Sequence, residues 1–399
     1  MEKNQLSNRI NSLSESQTIG MAKLSRELSA KGFDVINLSL GEPDFITPAH
    51  IREAAKKAID EGYTHYSPIS GFLDLRKAIA AKFKRENNLD YAPDQIVVST
   101  GAKQAIANVI LSLINPGDEV IIPLPYWVSY IEVVKLAEGK VTPMLTTIDN
   151  DFKITPAQLE AAITPKTKML IFSSPCNPTG TVFTRDELAA FVKVLEKYPN
   201  VYVLSDEIYE HINFLDRHVS IAEFPSIKDR VIVVNGLSKS FAMTGWRIGY
   251  IGAAKWIADA CDKMQGQITS GTSSISQKAA ETALNADLKP TLEMKAAFRR
   301  RRDLVLKLMK EIPGWKVNEP KGAFYVFPDV SYYFGKSDGE STIKNATDLC
   351  MYLLHKAHVS IVTGDAFGDN NCVRFSYAAS DEKLVEAIRR IKEALTKLK

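Results

Sequence analysis

Two basic residues, Lys239 and Arg247, follow the apolar run 230–236 (RVIVVNG). That run is rich in valine and isoleucine and predicts a buried β-strand. Lysine normally lies on a solvated surface, so Lys239 taken alone is an ordinary residue. Just past a buried strand, however, its amine could act as a nucleophile, with Arg247 as a fixed cation nearby.

Other polar residues stand at the ends of further apolar runs. Gly101 and Ala102 would offer backbone N–H groups at a helix N-terminus, an arrangement that suits a phosphate group. Each of these residues also has a purely structural interpretation, as part of a turn or as a helix N-cap. The residues and their runs are Gly101 and Ala102 after 95–100, Asn177 after 168–174, Asp206 at the end of 201–206, and Tyr209 after 201–206.

One ligand would use all of these groups, namely a phosphorylated pyridine aldehyde. Lys239 would form a Schiff base with the aldehyde, and Asp206 would stabilise the protonated ring nitrogen, so that the ring accepts electrons from a carbanion. Arg247 and the helix N–H groups would hold the phosphate. Tyr209 and Asn177 would hydrogen-bond to the ring hydroxyl.

Short apolar runs that alternate with longer helical patterns must position these residues. The runs are almost continuously hydrophobic, which is typical of strands covered on both faces in a parallel sheet. The alternation predicts an α/β fold, whose large domain has a mostly parallel sheet of about seven strands flanked by helices. The six runs that predict strands of this sheet are 95–100, 119–124, 168–174, 201–206, 230–236 and 248–253.

Both ends of the chain depart from this alternation, with a helix pattern and a short strand before residue 45 and three strand-like runs between two helices after residue 290. They predict a smaller α+β domain built from both ends. The predicted division is an N-terminal arm with part of the small domain at 1–45, a large cofactor-binding domain at 46–289, and the small domain at 290–399. Thr47 and Pro48 predict the N-cap and the first position of the helix that opens the large domain.

Composition narrows the functional classes. The 50 basic residues nearly balance the 47 acidic ones, which gives no reason to expect nucleic acid. The four cysteines are widely spaced, without a CxxC pair, which is typical of reduced thiols in the cytoplasm. Without an apolar signal region or a membrane-length apolar run, we expect a soluble cytoplasmic protein and no membrane partner. His355 and His358 have helical spacing but no third ligand, so we predict no metal site.

The motifs taken in order resemble a known enzyme family. The sequence resembles a fold-type I pyridoxal-phosphate enzyme, a class I aminotransferase of the bacterial aspartate aminotransferase subgroup. The resemblance runs from residue 39 to the C-terminal helix, and it is carried by SLGEPDFITP, YSPISGFLDLR, GAKQA, PYWVSY, NPTG, SDEIYE, SKSFAMTGWRIGY and VRFSYA. Eight motifs in the family's order make a chance match very improbable.

The resemblance implies pyridoxal 5'-phosphate as the cofactor and a role for each residue around it. Lys239 would form the Schiff base and then shuttle a proton between the substrate Cα and the cofactor. Asp206 would pair with the ring nitrogen, Asn177 and Tyr209 would contact the ring hydroxyl oxygen, and Trp127 would stack on the ring face and border the substrate. The residues implied at the phosphate are Gly101, Ala102, Ser238 and Arg247, with Tyr66 from a neighbouring subunit. A homodimer with shared active sites is therefore expected.

The resemblance also implies the substrate contacts. Arg374 would bind the α-carboxylate, because the planar guanidinium suits bidentate carboxylate binding. The Gly41 backbone N–H and the Asn177 amide would assist. For the second carboxylate of the substrate the family pattern implies Lys103, helped by Thr18. A lysine in the first turn of a helix opposes the helix dipole, which favours a functional role for Lys103.

These residues predict transfer of the amino group from L-aspartate to 2-oxoglutarate by a ping-pong Schiff-base mechanism. The alternative is an aminotransferase of broader or different specificity, acting on prephenate, aromatic or alanine-type substrates. A pyridoxal-phosphate β-lyase is a weaker alternative, because Lys103 favours a dicarboxylate. A pyridoxal-binding transcription regulator would need a DNA-binding domain before residue 39, and a dehydrogenase would need a dinucleotide fingerprint, which is missing.

Overall fold

The computed structural model describes residues 5–399; residues 1–4 of the predicted N-terminal arm lie outside this part of the chain. The helices flank a central sheet and a smaller C-terminal unit. The α-helices of the described residues are α1 (Asn8–Ser12), α2 (Gln17–Ala30), α3 (Ala49–Asp60), α4 (Leu73–Asn87), α5 (Ala102–Leu113), α6 (Ser129–Leu136), α7 (Pro156–Ala162), α8 (Arg185–Leu195), α9 (Lys255–Ile268), α10 (Ser274–Asn285), α11 (Lys289–Met309), α12 (Ala346–Lys356) and α13 (Asp381–Leu395).

A seven-stranded sheet forms the centre of the large part of the molecule. Its strands are β2 (Ile96–Thr100), β3 (Glu119–Pro123), β4 (Lys140–Met144), β5 (Thr167–Ser173), β6 (Tyr202–Asp206), β7 (Val231–Gly236) and β8 (Ile248–Gly252). They lie in the order β2-β8-β7-β6-β5-β3-β4, and only β8 runs antiparallel to its neighbours. The predicted mostly parallel sheet is confirmed. Every residue of β7 is buried, because helices cover both faces of the sheet.

The apolar-run criterion misses strand β4. This strand has the sequence KVTPM and pairs in parallel with β3 at one edge of the sheet. Pro143 lacks a backbone N–H, which an edge strand tolerates and a central strand does not. Because only Met144 of this strand is buried, the strand carries no continuous hydrophobic signal.

The two chain ends meet in one hydrophobic core, as predicted. This core joins Met21, Ile36 and Leu38 to buried residues between Met294 and Leu398, and it also packs on Tyr209. Strand β1 (Ile36–Asn37) pairs in parallel with β10 (Val359–Ser360), so the N-terminal segment adds a strand to the C-terminal unit. The remaining strands of the C-terminal unit are β9 (Tyr325–Val326), β11 (Val362–Thr363) and β12 (Val373–Ser376). The boundaries at residues 45 and 290 stay predictions.

The side chain of Thr47 does not cap helix α3, contrary to prediction. The helix begins at Ala49, and the Thr47 hydroxyl donates to the Ala242 carbonyl oxygen instead, at 2.6 Å. The same hydroxyl accepts the indole N–H of Trp246 at 3.0 Å. Thr47 therefore ties the segment before α3 to the chain that follows Lys239, a contact between distant residues that local sequence cannot reveal.

The parallel strands deliver their following residues to one edge of the sheet. Strand β5 pairs Ser173 with Asp206 of β6, and Asp206 in turn pairs with Val234 of β7. The segments that follow β5, β6 and β7 therefore emerge side by side, as expected for the carboxyl ends of parallel strands. Within residues 5–399, no helix combines the length and the apolar character that crossing a membrane requires.

Candidate active site

A cavity of about 340 Å³ lies at the carboxyl edge of the sheet, where the C-terminal unit packs against it. Most of the residues that the sequence singles out line this one cavity. They are Thr18, Gly41, Ala102, Lys103, Trp127, Asn177, Asp206, Tyr209, Ser238, Lys239, Arg247 and Arg374. Gly101 borders the cavity through its contact with Arg247. Tyr66 does not line the cavity, and its side chain is almost fully exposed in the single chain.

Lys239 lies in the segment that follows β7, with its amine in the cavity. Its Nζ donates a hydrogen bond to the Gly41 carbonyl oxygen. Removal from water, together with the positive charges of Arg374 and Arg247, lowers the pKa of Lys239 to about 8, although Glu42 opposes the shift. A substantial fraction of this amine is therefore neutral near physiological pH and able to act as a nucleophile or a base.

Asp206 ends strand β6 and is buried. Its Oδ2 accepts the phenolic hydrogen of Tyr130 at 2.6 Å, and its Oδ1 accepts the Ile208 backbone N–H at 3.2 Å. Burial raises the pKa of Asp206 to about 6, while these two hydrogen bonds oppose the rise. The carboxylate is thus an oriented, desolvated anion at neutral pH, able to pair with a cationic nitrogen in the cavity.

The start of helix α5 and Arg247 form an anion-binding corner. Gly101, the N-cap of α5, has a φ of +83°, and a Cβ at this position would lie 2.3 Å from Nη2 of Arg247. A glycine is therefore required for the guanidinium to approach the helix N-terminus. Arg247 is held by a 2.8 Å hydrogen bond from Nη1 to the Thr244 carbonyl oxygen. Backbone N–H groups, a helix dipole and a guanidinium together suit a phosphate.

Arg374, in β12, lines the cavity and is buried, with 2% of its surface exposed. Nη1 donates to the Asn177 side-chain oxygen at 3.0 Å, and Nη2 donates to the Ser39 carbonyl oxygen at 2.6 Å. Its Nε is buried without a hydrogen-bond partner. No carboxylate of residues 5–399 forms an ion pair with this guanidinium. A buried cation without a carboxylate partner favours an incoming anion.

Lys103 adds a further cation to the cavity wall. It lies in the first turn of α5, with Nζ 5.2 Å from the ring centre of Trp127. Desolvation and the charge of Arg247 lower the pKa of Lys103. Thr18 lines the same cavity, with its hydroxyl hydrogen-bonded to that of Ser16 at 2.8 Å.

Two tyrosines of the cavity were missed by sequence reasoning. Tyr130 lies three residues after Trp127 in the motif PYWVSY, and its approach to Asp206 depends on where helix α6 packs. Tyr325, in β9, lines the cavity and places its hydroxyl 2.8 Å from that of Tyr209. Nothing in the run around Tyr325 distinguishes it from a core residue, so no sequence signal marks it.

A buried polar network supports the turn that carries Asp206 and Tyr209. Lys82, on α4, is 1% exposed, and its ammonium donates to Glu210 and, at 2.7 Å, to the Asn87 side-chain oxygen. Asn87 also donates to the second oxygen of Glu210 at 2.6 Å. Burial would raise the pKa of Glu210, but the nearby positive charges, led by Lys82, outweigh it and lower the pKa. The network therefore anchors the back of the turn while its front faces the cavity.

The same region contains groups of side chains close enough to hold a metal ion. They are Glu86, Glu210 and His211, and Glu207, Glu210 and His218. Glu210 already accepts from the Lys82 ammonium, and Glu207 accepts hydrogen bonds from Ser205 and Ser220. These internal partners account for the buried acids by hydrogen bonding and charge.

Comparison with known proteins decides the family. The family described as aminotransferase class I and II matches residues 34–391. The chain belongs to this family. It is 49% identical to the bifunctional aspartate aminotransferase and glutamate/aspartate-prephenate aminotransferase of Petunia hybrida, over 99% of this chain and 83% of that protein. It is 48% identical to a probable aspartate/prephenate aminotransferase of Rhizobium leguminosarum bv. phaseoli, over 97% of each chain.

Solved structures agree with this assignment. The aspartate aminotransferase from Rhizobium meliloti superposes with a TM-score of 0.95 at 42% identity, over 99% of both chains. The aspartate aminotransferase from Thermus thermophilus with maleate gives a TM-score of 0.92 at 38% identity, over 98% of this chain and 99% of that one. The protein is therefore an aminotransferase enzyme, and its cofactor is pyridoxal 5'-phosphate.

The cavity fits this cofactor. Gly101 leaves space at the helix N-terminus where a phosphate would lie against Arg247. Asp206 is a buried anion suited to the pyridine nitrogen, and Lys239 supplies the amine for the aldehyde. Tyr209 lines the same cavity and has a hydroxyl available for the ring oxygen. These chemical groups correspond one by one to the functional groups of pyridoxal 5'-phosphate.

Uptake of the cofactor by cofactor-free protein should accelerate with pH through a midpoint near 8. Only the neutral amine attacks an aldehyde, and the pKa of Lys239 is lowered from 10.5 to about 8. The neutral fraction therefore rises steeply between pH 7 and 9, where an exposed lysine stays charged. Stopped-flow absorbance after mixing with pyridoxal 5'-phosphate measures the rate. A midpoint near 10, or the same profile in Lys239→Ala, would contradict the assignment of the amine.

Proposed function

We propose that this aminotransferase transfers the amino group of L-aspartate to 2-oxoglutarate by a ping-pong mechanism. The observation that carries the proposal is the pair of cations, Arg374 and Lys103, lining the cavity that holds Lys239. No carboxylate of residues 5–399 forms an ion pair with either of them. A dicarboxylate substrate would satisfy both cations, whereas alanine would leave Lys103 unpaired. The names of the relatives from Petunia hybrida and Rhizobium meliloti support the same substrate.

Lys239 would do the proton chemistry. Its amine would hold the cofactor through the aldehyde and, once free, would take a proton from the substrate Cα. A base with a pKa of about 8 holds and releases protons efficiently near neutral pH. Bound pyridoxal 5'-phosphate supplies an aldehyde that accepts the amino group and a pyridine ring that withdraws electrons from Cα.

The residues around Lys239 would orient and polarise the reactants. Asp206 would pair with a positively charged ring nitrogen, and Tyr130 holds the carboxylate in place for this role. Asn177 links the ring side of the cavity to the carboxylate side, because its side-chain oxygen accepts from Arg374. Trp127 would stack on the ring face, and Ser238, Ala102 and Arg247 would hold the phosphate.

Substrate binding would draw the two units of the fold together. Arg374 belongs to the C-terminal unit, whereas Lys239 follows strand β7 of the large sheet. A carboxylate held by Arg374 and an amino group near Lys239 therefore bridge both units. Closure around the substrate would exclude water and strengthen each charge interaction in the cavity. We propose the division into an arm at 1–45, a large domain at 46–289 and a small domain at 290–399 on this basis.

A half-reaction screen with the Lys103→Ala variant tests the substrate assignment. Aspartate or glutamate added to the cofactor-loaded enzyme should change the cofactor absorbance far faster than alanine does. Lys103→Ala should lower kcat/KM for aspartate by about 10- to 100-fold, the value of one charge-assisted hydrogen bond, and leave alanine nearly unchanged. Lys263→Ala, an exposed lysine on α9, is the matched control. Equal losses for aspartate and alanine would contradict a role for Lys103 at the second carboxylate.

Prephenate is a second candidate substrate. It also carries two carboxylates, and the relatives from Petunia hybrida and Rhizobium leguminosarum bear prephenate in their names. The cavity brings Thr18 and Lys103 together, which supports this candidate as well. The same screen distinguishes the substrates when prephenate is offered as the amino acceptor. Aromatic and alanine-type substrates and β-elimination receive no comparable support.

We also propose a homodimer with shared active sites. Tyr66 is 98% exposed in the single chain, and Ile46 and Ile19 are also largely exposed although they are apolar. A second copy that covered these side chains would bring Tyr66 to a neighbouring cavity. Light scattering that returned the mass of a single chain would contradict this pairing. The four free cysteines, three of them buried, support a reducing compartment, and we propose the cytoplasm.

A further inference from the structure

The hydroxyl of Tyr325 lies in the active-site cavity without a role in the steps described above. Tyr325 is fully buried in strand β9, and its Oη lies 2.8 Å from Oη of Tyr209. Tyr209 is itself buried, at 3% exposure. Two buried phenols in direct hydrogen-bond contact form a defined polar link, because each would otherwise be left unsatisfied.

The Tyr325 side chain also lies next to the residues proposed to bind the α-carboxylate of the substrate. The Arg374 guanidinium lies over the Tyr325 ring, 4.6 Å from its centre. A Cβ built on Gly41 would lie 2.5 Å from the Tyr325 hydroxyl, so the phenol also fills the space beside the Gly41 backbone. Tyr325 therefore stands between the residues proposed for the α-carboxylate and the phenol proposed for the cofactor ring.

The number of phenol protons determines which tyrosine donates in the hydrogen bond between Tyr209 and Tyr325. A phenol has one proton to donate, and its oxygen accepts further hydrogen bonds. If Tyr209 donates its proton to the ring oxygen of the cofactor, it has none left for Tyr325. The contact at 2.8 Å is then satisfied only when Tyr325 donates to Tyr209. This step rests on the proposed role of Tyr209.

We propose that Tyr325 is a positioning residue whose hydroxyl donates to Tyr209 and so strengthens Tyr209 as a hydrogen-bond donor to the cofactor ring. Through this link, a carboxylate bound at Arg374 changes how strongly Tyr209 donates to the ring. A donor that itself receives a hydrogen bond is polarised and donates more strongly. Binding of a carboxylate to Arg374 neutralises the cation over the Tyr325 ring and weakens Tyr325 as a donor. The ring oxygen then becomes more basic as substrate binds.

The charges around the two phenols agree with this direction. Burial raises the pKa of Tyr325, while the charge of Arg374 and the hydrogen bond with Tyr209 oppose the rise. Burial raises the pKa of Tyr209 well above its ordinary value, and Tyr325 and Asp206 add to the rise while Arg374 opposes it. The Lys239 ammonium also faces the Tyr209 ring, with Nζ 5.8 Å from its centre. Arg374 is therefore the cation through which an incoming carboxylate would act.

A pH titration of the cofactor absorbance in Tyr325→Phe tests the proposal without any amino-acid substrate. Weaker donation to the ring oxygen favours the protonated form of the lysine-bound cofactor, so the midpoint should rise by about half a pH unit. Saturating maleate should raise the midpoint of the wild-type enzyme, and this ligand-induced rise should be smaller in Tyr325→Phe. Tyr333→Phe is the control and should leave the midpoint unchanged. It removes another buried hydroxyl of the C-terminal unit, which donates to the Pro313 carbonyl oxygen at 2.6 Å.

Two further variants keep the test decisive. A Cβ at Gly41 would lie 2.5 Å from the Tyr325 hydroxyl, so Gly41→Ala displaces this hydroxyl and should raise the midpoint even if Tyr325→Phe folds poorly. In a Tyr209→Phe background, Tyr325→Phe should have no further effect, because the link runs through Tyr209. An unchanged midpoint in both Tyr325→Phe and Gly41→Ala would overturn the proposal. So would a Tyr325→Phe shift that persists without the Tyr209 hydroxyl.

The titration test of Tyr325 and the tests of the proposed function can fail independently. A wild-type protein without a cofactor band that borohydride fixes to Lys239 would contradict the cofactor chemistry itself. A normal cofactor band whose titration midpoint is unchanged in Tyr325→Phe would contradict only the hydrogen-bond link between the two phenols. The substrate screen is independent of both, because the titration contains no amino donor.

Discussion

Lys239→Ala is expected to abolish transamination, lowering the half-reaction rate by more than about 10⁴-fold, the upper range for loss of a positioned acid–base group. The variant removes the nucleophile that anchors the cofactor and the base that moves the proton at Cα. Residual cofactor binding should persist, because the helix α5 N-terminus, Arg247 and Asp206 are untouched. The expected protein thus binds the cofactor without a covalent bond and cannot turn over.

Borohydride reduction followed by peptide mass analysis measures this outcome directly. Wild-type protein should carry the reduced cofactor on the peptide that contains Lys239, and Lys239→Ala should carry none. Lys103→Ala is the matched control, because Lys103 lines the same cavity and its variant should retain the adduct. An adduct of equal yield in Lys239→Ala would show that another lysine is the anchor, and the assignment of the catalytic base would fall with it.

Arg374→Leu should lower kcat/KM for every amino-acid substrate by about 10²- to 10⁴-fold. The guanidinium would lose two charge-assisted hydrogen bonds to the α-carboxylate, each contributing about 1.5–3 kcal/mol, partly offset because water solvates the free carboxylate. Every amino acid carries this carboxylate, so aspartate and alanine should lose comparable factors. Steady-state and half-reaction kinetics with both substrates measure the losses.

Folding should survive this substitution better than activity does. Arg374 is buried, its Nε lacks a partner, and burial lowers its pKa, so the side chain is a costly feature of the fold without its ligand. A leucine removes that cost and also the hydrogen bonds to Asn177 and Ser39; because these effects oppose each other, the melting temperature should stay within about 5 °C of wild type. Arg374→Lys should restore only part of the activity, because an ammonium cannot bind a carboxylate bidentately. Arg389→Leu, on the exposed face of α13, serves as the surface control. A loss confined to aspartate would contradict the assignment of Arg374 to the α-carboxylate.

Much of the cavity followed from local sequence. Asn177, Asp206 and the segment of Lys239 lie at or just after the ends of apolar runs, and parallel strands bring such ends to one edge of a sheet. The residue types at those ends indicate the ligand, because an amine, a carboxylate and an anion corner match different parts of one cofactor. These conclusions depend only on the order of strands and the chemistry of single residues.

Contacts between residues far apart in the chain did not follow from local patterns. Lys82 belongs to a helix whose other lysines are solvated, yet packing of α4 against the turn after β6 buries it on Glu210. Thr47 is of a residue type and position typical of an N-cap, but its hydroxyl donates to the Ala242 carbonyl oxygen instead. In both residues a tertiary partner outweighs the local preference, since a buried polar group without a partner costs more than a helix cap contributes.

By itself, the sequence determined the mostly parallel α/β sheet and the cofactor chemistry, and it predicts Lys239 as the anchoring lysine, because each depends on periodicity or on residue type at a strand end. Only the tertiary structure decided the electrostatic state of the site. The pKa of Lys239 is lowered to about 8 first by burial and then by the charges of Arg374, in the C-terminal unit, and Arg247, just before β8, which face the same cavity. The contact between Tyr209 and Tyr325 likewise joins the turn after β6 to strand β9 of the C-terminal unit. Desolvation and charge proximity arise from folding distant segments together, so no local pattern in the chain encodes them.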